Sequence, residues 1–408
     1  MPEFSSFPIP QGISFYGASS GIKKGGDLDL GAILIPQGAH WLAVTTRNSL
    51  KAAPIRHLER LRKKGKPLKA ILVNSGNANA CTGKKGKESL KRILASLKDH
   101  LRSMGYSADE DEIAMASTGV IGVPLPEEKI IGTWNALFTP YTDPLEGLER
   151  FSRAILTTDR YPKVSFCKVS LPGIPSSRGT ILGIAKGAGM IAPEMATMLA
   201  FILTDLAPPL PVLRRIFRRA LDESFHEITV DGEMSTNDLV LLCTPLRNPY
   251  PWQKSWEHPF FEGLRDVMRE LALQIVKDGE GARTLIEIVV EGARGRKEAR
   301  ILAQRVANSI LVKTAIHGRD PNWGRIAASL GSTKIPIQEK NLVIAIGDVI
   351  LLNRGEPQGL EAEEKARALL DRDHVLLSIQ VGNGPGKARF FTCDLGVPYV
   401  RLNASYRS

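Results

Sequence analysis

Three observations predict an α+β protein built as a layered α/β sandwich. Strands and helices mix along the chain in no strict βαβ order, which disfavours a doubly wound sheet. The long helical stretches are amphipathic, each with one apolar face. Short apolar runs such as 70–73 and 195–203 have the length and composition of strands buried in a sheet. A chain of 408 residues with 43% hydrophobic content has enough apolar material for a large core.

The elements follow in order. Residues 31–35 and 41–45 read as strands joined by a turn at Pro36, Gln37 and Gly38. Residues 70–73 form a short buried strand. Residues 84–104 form a helix, because Leu90, Ile93, Leu94, Leu97 and Leu101 fall on one face. Residues 145–156, 211–224 and 260–277 also read as helices. Ala207, Pro208 and Pro209 mark the loop that leads into the second of these. Residues 247–256 read as a surface loop, and 285–290 and 342–350 as strands. Residues 375–381 and 388–394 look like a hairpin around the Gly-Asn-Gly-Pro-Gly stretch at 382–386.

The formal charge is +11, from 54 Lys and Arg against 43 Asp and Glu. Residues 51–100 hold 14 of the basic residues and 3 of the acidic ones, so the remainder is balanced. Such a segment is a solvated Lys-rich face or a patch for an acidic partner. No apolar run reaches the roughly 18 residues of a membrane-spanning helix. The N-terminus has neither the basic start nor the apolar stretch of a signal peptide, so a cytoplasmic protein is the expectation. The four cysteines are far apart, with no CxxC and no Cys/His cluster, so no metal site is expected. His317 has unusual polar neighbours and reads either as a packed histidine or as a catalytic one.

Three segments have the composition of a site. Asn74 to Ala80 is polar and small-residue-rich after a strand, which suits a tight turn with exposed amides. Thr118 and Gly119 follow another strand. They read as a plain turn, or as a hydroxyl and a backbone N–H converging on one point, as an oxyanion hole requires. Lys186, Gly187 and Gly189 make a flexible cationic loop ahead of the apolar run at 195–203. Within it, Ala196-Thr197 reads as an ordinary strand residue pair, or as a precursor of an N-terminal nucleophile. In the second case Thr197 attacks the preceding carbonyl, and hydrolysis of the ester frees its α-amine. That amine, with a reference pKa of about 7.7–8.0, can serve as the base for its own Oγ.

These segments together resemble the glutamate N-acetyltransferase / ornithine acetyltransferase family of arginine biosynthesis. The likeness runs through 21–24, 51–54, 74–83, 117–126, 157–159, 186–205, 229–232, 235–238, 278–282, 318–324, 392–394 and 399–403. Departures are Glu233 and Met234 before Ser235, the pair Phe390 and Phe391, and extra residues at 167–178.

The resemblance implies a fold of the ornithine acetyltransferase, N-terminal-nucleophile-like type. It implies self-cleavage between Ala196 and Thr197, giving an α chain of 1–196 and a β chain of 197–408, associated as a heterotetramer of two α and two β. Thr197 is the implied nucleophile, and Thr118 and Gly119 the implied oxyanion hole. Thr157, Lys186, Thr197, Glu280, Asn403 and Ser408 are the implied substrate ligands. The implied reaction moves acetyl from N²-acetylornithine to glutamate through an acetyl-threonine ester. No metal or bound cofactor is expected, and acetyl-CoA is a co-substrate in some members. Two other readings stay open. One is an N-terminal-nucleophile aminopeptidase or amidohydrolase, in which water resolves the acyl-enzyme. The other is a nucleic-acid-binding protein using 51–100, for which no recognised motif or aromatic stripe is present.

Overall fold

The computed structural model describes residues 4, 7–173, 178–192, 198–247 and 251–405. Eight strands form the first sheet: β1 (Ser14–Ala18), β2 (Leu30–Thr45), β3 (Leu68–Asn74), β4 (Ile113–Ser117), β5 (Lys163–Ser170), β6 (Arg178–Lys186), β7 (Leu199–Thr204) and β8 (Leu239–Pro245). Their order is β4-β3-β2-β8-β7-β6-β5, with β1 paired to β2. The turn expected at 36–38 is a bend inside β2. Residues 30–34 pair with β3, residues 39–45 pair with β8, and the register breaks between Leu34 and Ala39. Pro36 lacks an N–H for a ladder and sits where the ladder is broken.

That bend folds the sheet on itself. Ile33, Ile71 and Val73 from one half share a core with Leu199, Phe201, Leu239 and Leu241 from the other. Helices α1 (Ala53–Lys64) and, further along, a second helix at 144–154 add Ile55, Leu58, Leu148 and Phe151 to this core. The outer face of the β2-β3-β4 half is covered by α2 (Gly83–Ser103), α3 (Glu127–Ile131) and α4 (Trp134–Leu137). The helix at 144–154 is α5 (Pro144–Ala154). The outer face of the β6-β7-β8 half is covered by α6 (Leu210–Asp222) and α7 (Glu257–Lys277). The result is a helix–sheet–sheet–helix sandwich, the layered α+β architecture read from the sequence. The apolar stripe of α2 is buried as expected, while Lys84, Lys85, Lys87, Lys91 and Arg92 are exposed. Arg62, Lys63, Lys64 and Lys66 are also exposed, so the charge of the basic segment lies on the surface.

The second sheet has β9 (Leu285–Ala293), β10 (Val343–Ile346), β11 (Val349–Asn353), β12 (Glu356–Pro357), β13 (His374–Gln380) and β14 (Gly386–Cys393) in the order β12-β11-β10-β13-β9-β14. The helices of this part are α8 (Arg296–Ala307), α9 (Ile310–His317), α10 (Trp323–Gly331), α11 (Gly359–Leu369) and α12 (Val397–Ser405). Two sequence expectations are corrected here. The strand expected at 342–350 is two, because Gly347 turns the chain at a φ of 59°. The hairpin expected at 375–394 is absent: β9 lies between β13 and β14, parallel to the first and antiparallel to the second. The Gly-rich 382–386 connection therefore crosses over β9. A Cβ at Gly292 would collide with the Gly382 carbonyl, and Gly384 N–H donates to the Gly292 carbonyl at 3.0 Å. A third correction concerns 247–256. Among its described residues Trp256 is fully buried, and its indole donates to the Pro172 carbonyl at 2.9 Å.

Candidate active site

A cleft of about 150 Å³ opens where the C-terminal ends of β3, β4 and β6 meet the N-terminal ends of β7 and β8. Its walls begin with the two polar turns. After β3, Asn74 donates to the Asn77 carbonyl at 2.8 Å and accepts from the Ser117 hydroxyl at 2.5 Å. Ala78 N–H donates to the Val120 carbonyl, and Asn77 donates to the Val123 carbonyl at 3.1 Å. The turn after β4 is thereby laced to the turn after β3. From the facing half of the sandwich, Asn237 donates to both the Ala78 and Ser117 carbonyls, at 2.7 and 2.8 Å.

Thr118 and Gly119 line the cleft. The Thr118 N–H is used by the Asn74 carbonyl at 3.0 Å. Its hydroxyl and the Gly119 N–H make no hydrogen bond within the described residues, so both remain available as donors. Gly119 has φ 127°, and an added Cβ would lie 2.6 Å from the Asn77 nitrogen. Only glycine fits this backbone and this contact.

Opposite stand the charged groups. Lys186, at the end of β6, donates to the Thr157 hydroxyl at 2.8 Å and lies 3.7 Å from Asp159. Burial pushes its ammonium pKa down, against the pull of the Asp159 carboxylate. Glu280 accepts from the Thr158 hydroxyl and from the Asn403 amide, each at 2.7 Å. A Cβ at Gly189 would meet the Glu280 carboxyl at 2.5 Å, so a side chain there would push that carboxyl aside. The structure thus brings Thr118, Gly119, Thr157, Lys186, Glu280 and Asn403 to one cleft. Ala196, Thr197 and Ser408 lie outside the described residues.

Several lining groups had no role in the sequence reading. Asp231 accepts from the N–H groups of Met190 (2.6 Å), Ile191 (2.8 Å) and Glu233 (3.1 Å), and from the Tyr399 hydroxyl (3.3 Å). It therefore ties the loop after β6 to α12. Burial pushes its carboxyl up despite these donors. Behind Lys186, the side chains of Lys163, Asp159 and Asp278 form a fully buried network, with the exposed Arg160 at its edge. Lys163 donates to Asp159 and Asp278, each at 2.7 Å, and Arg160 donates to Asp278 at 2.7 Å. Asp159 also accepts from the Gly187 N–H at 2.6 Å. Asp231, Asp159 and Asp278 all sit in motifs that carried the resemblance, whereas Lys163 had no local signal. His317 is outside the cleft. It pairs with Asp394 at 2.7 Å, and that carboxylate also accepts from the Arg283 and Thr284 N–H groups. Within the described residues no three His, Cys, Asp or Glu side chains group as metal ligands.

The chemistry on offer is an unused donor pair facing a buried cation and a hydrogen-bonded carboxylate. Such a set suits a small zwitterion whose carbonyl becomes anionic as it reacts.

Comparisons with known proteins agree in direction. An arginine biosynthesis bifunctional protein ArgJ from Bacillus cereus is 40% identical over 411 aligned positions, covering 100% of this chain and 97% of its own. The protein of the same description from Geobacter sulfurreducens is 40% identical over 98% of this chain and 99% of its own. A crystal structure of the Bacillus halodurans ArgJ protein is 38% identical, covers 50% of this chain and 98% of that one, and has a TM-score of 0.47. The ArgJ family profile matches residues 14–408, and the chain belongs to that family.

Proposed function

We propose that this enzyme transfers an acetyl group from N²-acetylornithine to glutamate, with Thr197 as the nucleophile of a self-cleaved β chain. The observation that supports it is the cleft itself: a Thr118 hydroxyl and Gly119 N–H that are unused within the described residues line it together with Lys186 and Glu280, around a space of amino-acid size. Thr197 Oγ attacks the acetyl carbonyl carbon, and the carbonyl oxygen takes the negative charge. Thr118 and Gly119 donate to that oxyanion. Collapse breaks the C–N bond, and the proton lost from Oγ passes through the Thr197 α-amine to the departing nitrogen. Ornithine leaves an acetyl-Thr ester, which the glutamate α-amine attacks in the reverse geometry. Lys186 suits a substrate carboxylate and Glu280 an ammonium group. Ser408 is a further proposed substrate contact, Thr157 orients Lys186, and Asn403 orients Glu280. No metal or bound cofactor enters, and the two chains are proposed to associate as an α₂β₂ heterotetramer in the cytoplasm.

The test is a donor and acceptor panel. Acetylornithine and acetyl-CoA are each offered with and without glutamate, while ornithine, acetate and N-acetylglutamate are measured. Acetylornithine with glutamate is expected to give ornithine and N-acetylglutamate in equal amounts. Acetate in place of N-acetylglutamate would instead identify the hydrolase of the N-terminal-nucleophile type. The same assay reads Gly119→Ala. The added methyl clashes with the Gly76–Asn77 backbone and turns the N–H of residue 119 away from the oxyanion, so kcat is expected to fall about 10²–10³-fold.

A further inference from the structure

Strand β2 has an open edge along its second half. Residues 30–34 lie between β1 and β3. From Ala39 to Thr45 the strand pairs with β8, but β3 reaches only as far as the Leu68–Ala39 pair. On that side, residues 40–45 have no neighbouring strand within the described residues. The Thr46 N–H donates to the Asp238 carbonyl, which fixes the alternation of the β2–β8 ladder. His40, Leu42 and Val44 therefore bond to β8, and the N–H and C=O groups of Trp41, Ala43 and Thr45 point to the open edge. An unpaired edge is a template for another chain.

A groove of about 580 Å³ runs along this edge, between β2, α6 and the C-terminal end of α1. It shares no lining residue with the catalytic cleft. Its charge is one-sided. Arg47, Arg62, Lys66, Arg214 and Arg218 line it, and the one acid among its lining residues, Asp222, sits 2.9 Å from the His226 ring. The arginines of α6 are sorted by face. Arg215 and Arg219 do not line the groove, and each has a carboxylate, Glu257 and Glu223 respectively. Arg214 and Arg218 line it and have no carboxylate within the described residues, and neither has Arg62. The cations also flank both faces of the open edge. Helix α6 packs on the side of Leu42 and Val44, and α1 on the side of Trp41 and Ala43.

We propose that this groove is a docking site for an extended acidic segment of a partner protein, which adds to β2 as a further strand. Its backbone pairs with the open N–H and C=O groups of Trp41 and Ala43. Its side chains alternate between the two faces, so carboxylates on both rows meet guanidinium groups. A second copy of this chain does not fit, because pairing the same edges brings the same cations against one another. A phosphate-bearing small molecule would answer the arginines but give the edge carbonyls no donor.

The probe is a fluorescent, end-blocked Glu-Val-Glu-Val-Glu-Val peptide, followed by anisotropy with the full-length protein at about 0.15 M salt. Saturable binding at one peptide per chain is expected. Arg214→Ala with Arg218→Ala is expected to weaken it about tenfold or more. Arg215→Ala with Arg219→Ala removes the same charge from the rest of α6 and is expected to change it less than about twofold. The same peptide N-methylated throughout keeps its charge but cannot donate to the edge, and it is expected to bind about tenfold more weakly or worse. Three results would each overturn the proposal. One is the absence of saturable binding by the plain peptide. Another is an equal loss in the two paired variants. The third is N-methylated peptide, or inorganic tripolyphosphate, binding as tightly as the plain peptide, which would reduce the groove to a patch for any polyanion.

Discussion

A Thr197→Ala chain is expected to remain one polypeptide of 408 residues and to release no ornithine from N²-acetylornithine. Both losses trace to one oxygen. Without Oγ, nothing attacks the Ala196 carbonyl, so no α-amine is freed. Without Oγ, nothing accepts the acetyl group either. The expected loss in rate is about 10⁶-fold, the scale seen when a covalent nucleophile is removed from an otherwise intact site. Within the described residues no thiol replaces it. None of the four cysteines lines the cleft, and burial pushes the Cys243 and Cys393 thiols up to about 12 and about 11. The cleft should survive the substitution, because its donors and charges come from other elements. Thermal unfolding should therefore change little, while intact mass and ornithine release change completely. A Thr197→Ala protein found as two fragments, or found active, would remove Thr197 from both roles.

What the sequence made legible follows how far each feature reaches along the chain. The helix at 83–103 repeats its apolar residues with a helical period and needs no partner to be read. Lys186 and Glu280 lie inside motifs dense enough to carry a family likeness. The bend at Pro36 was read as a turn because local rules say so. It became an internal bend because β3 and β8 claim opposite ends of one strand. The false hairpin at 375–394 has the same origin: a Gly-rich connection looks local, and nothing near it announces that β9 intrudes from about ninety residues earlier. Lys163 is the clearest omission. In sequence it is one lysine at the start of a strand, and its importance arises from Asp278, 115 residues away. Asp231 was visible as a motif residue, yet its work of joining Met190, Ile191 and Tyr399 exists only in three dimensions.

Lys163→Met is expected to be the most destabilising single substitution near the site, by roughly 3–5 kcal/mol at neutral pH. The methionine fills the volume but leaves Asp159 and Asp278 fully buried without their shared cation. Burial alone would raise the Asp159 carboxyl. In the wild type the charges of Lys163 and Lys186 win, and they hold it far below the usual carboxylate range. The sign of the pH dependence follows. A carboxyl whose folded pKa is depressed contributes stability above its unfolded value, about 3.9, and loses that contribution as pH falls towards the folded value. The wild type should therefore lose this stability only in strong acid. Lys163 is raised in turn: burial opposes it, but the two aspartates prevail, so its contribution is lost only in strong alkali. In Lys163→Met the burial penalty on the Asp159 carboxyl loses the larger of its two opposing charges, and acid relieves it by protonation. The gap between the two proteins should be widest near pH 7 and narrow as pH falls to about 4, as measured by denaturant midpoints. A gap independent of pH would mean that lost packing, not unpaired charge, sets the cost. Activity should fall with stability at pH 7, because Gly187 donates to Asp159 and Lys186 pairs with it, so loss of the network loosens the lysine proposed to hold the substrate carboxylate.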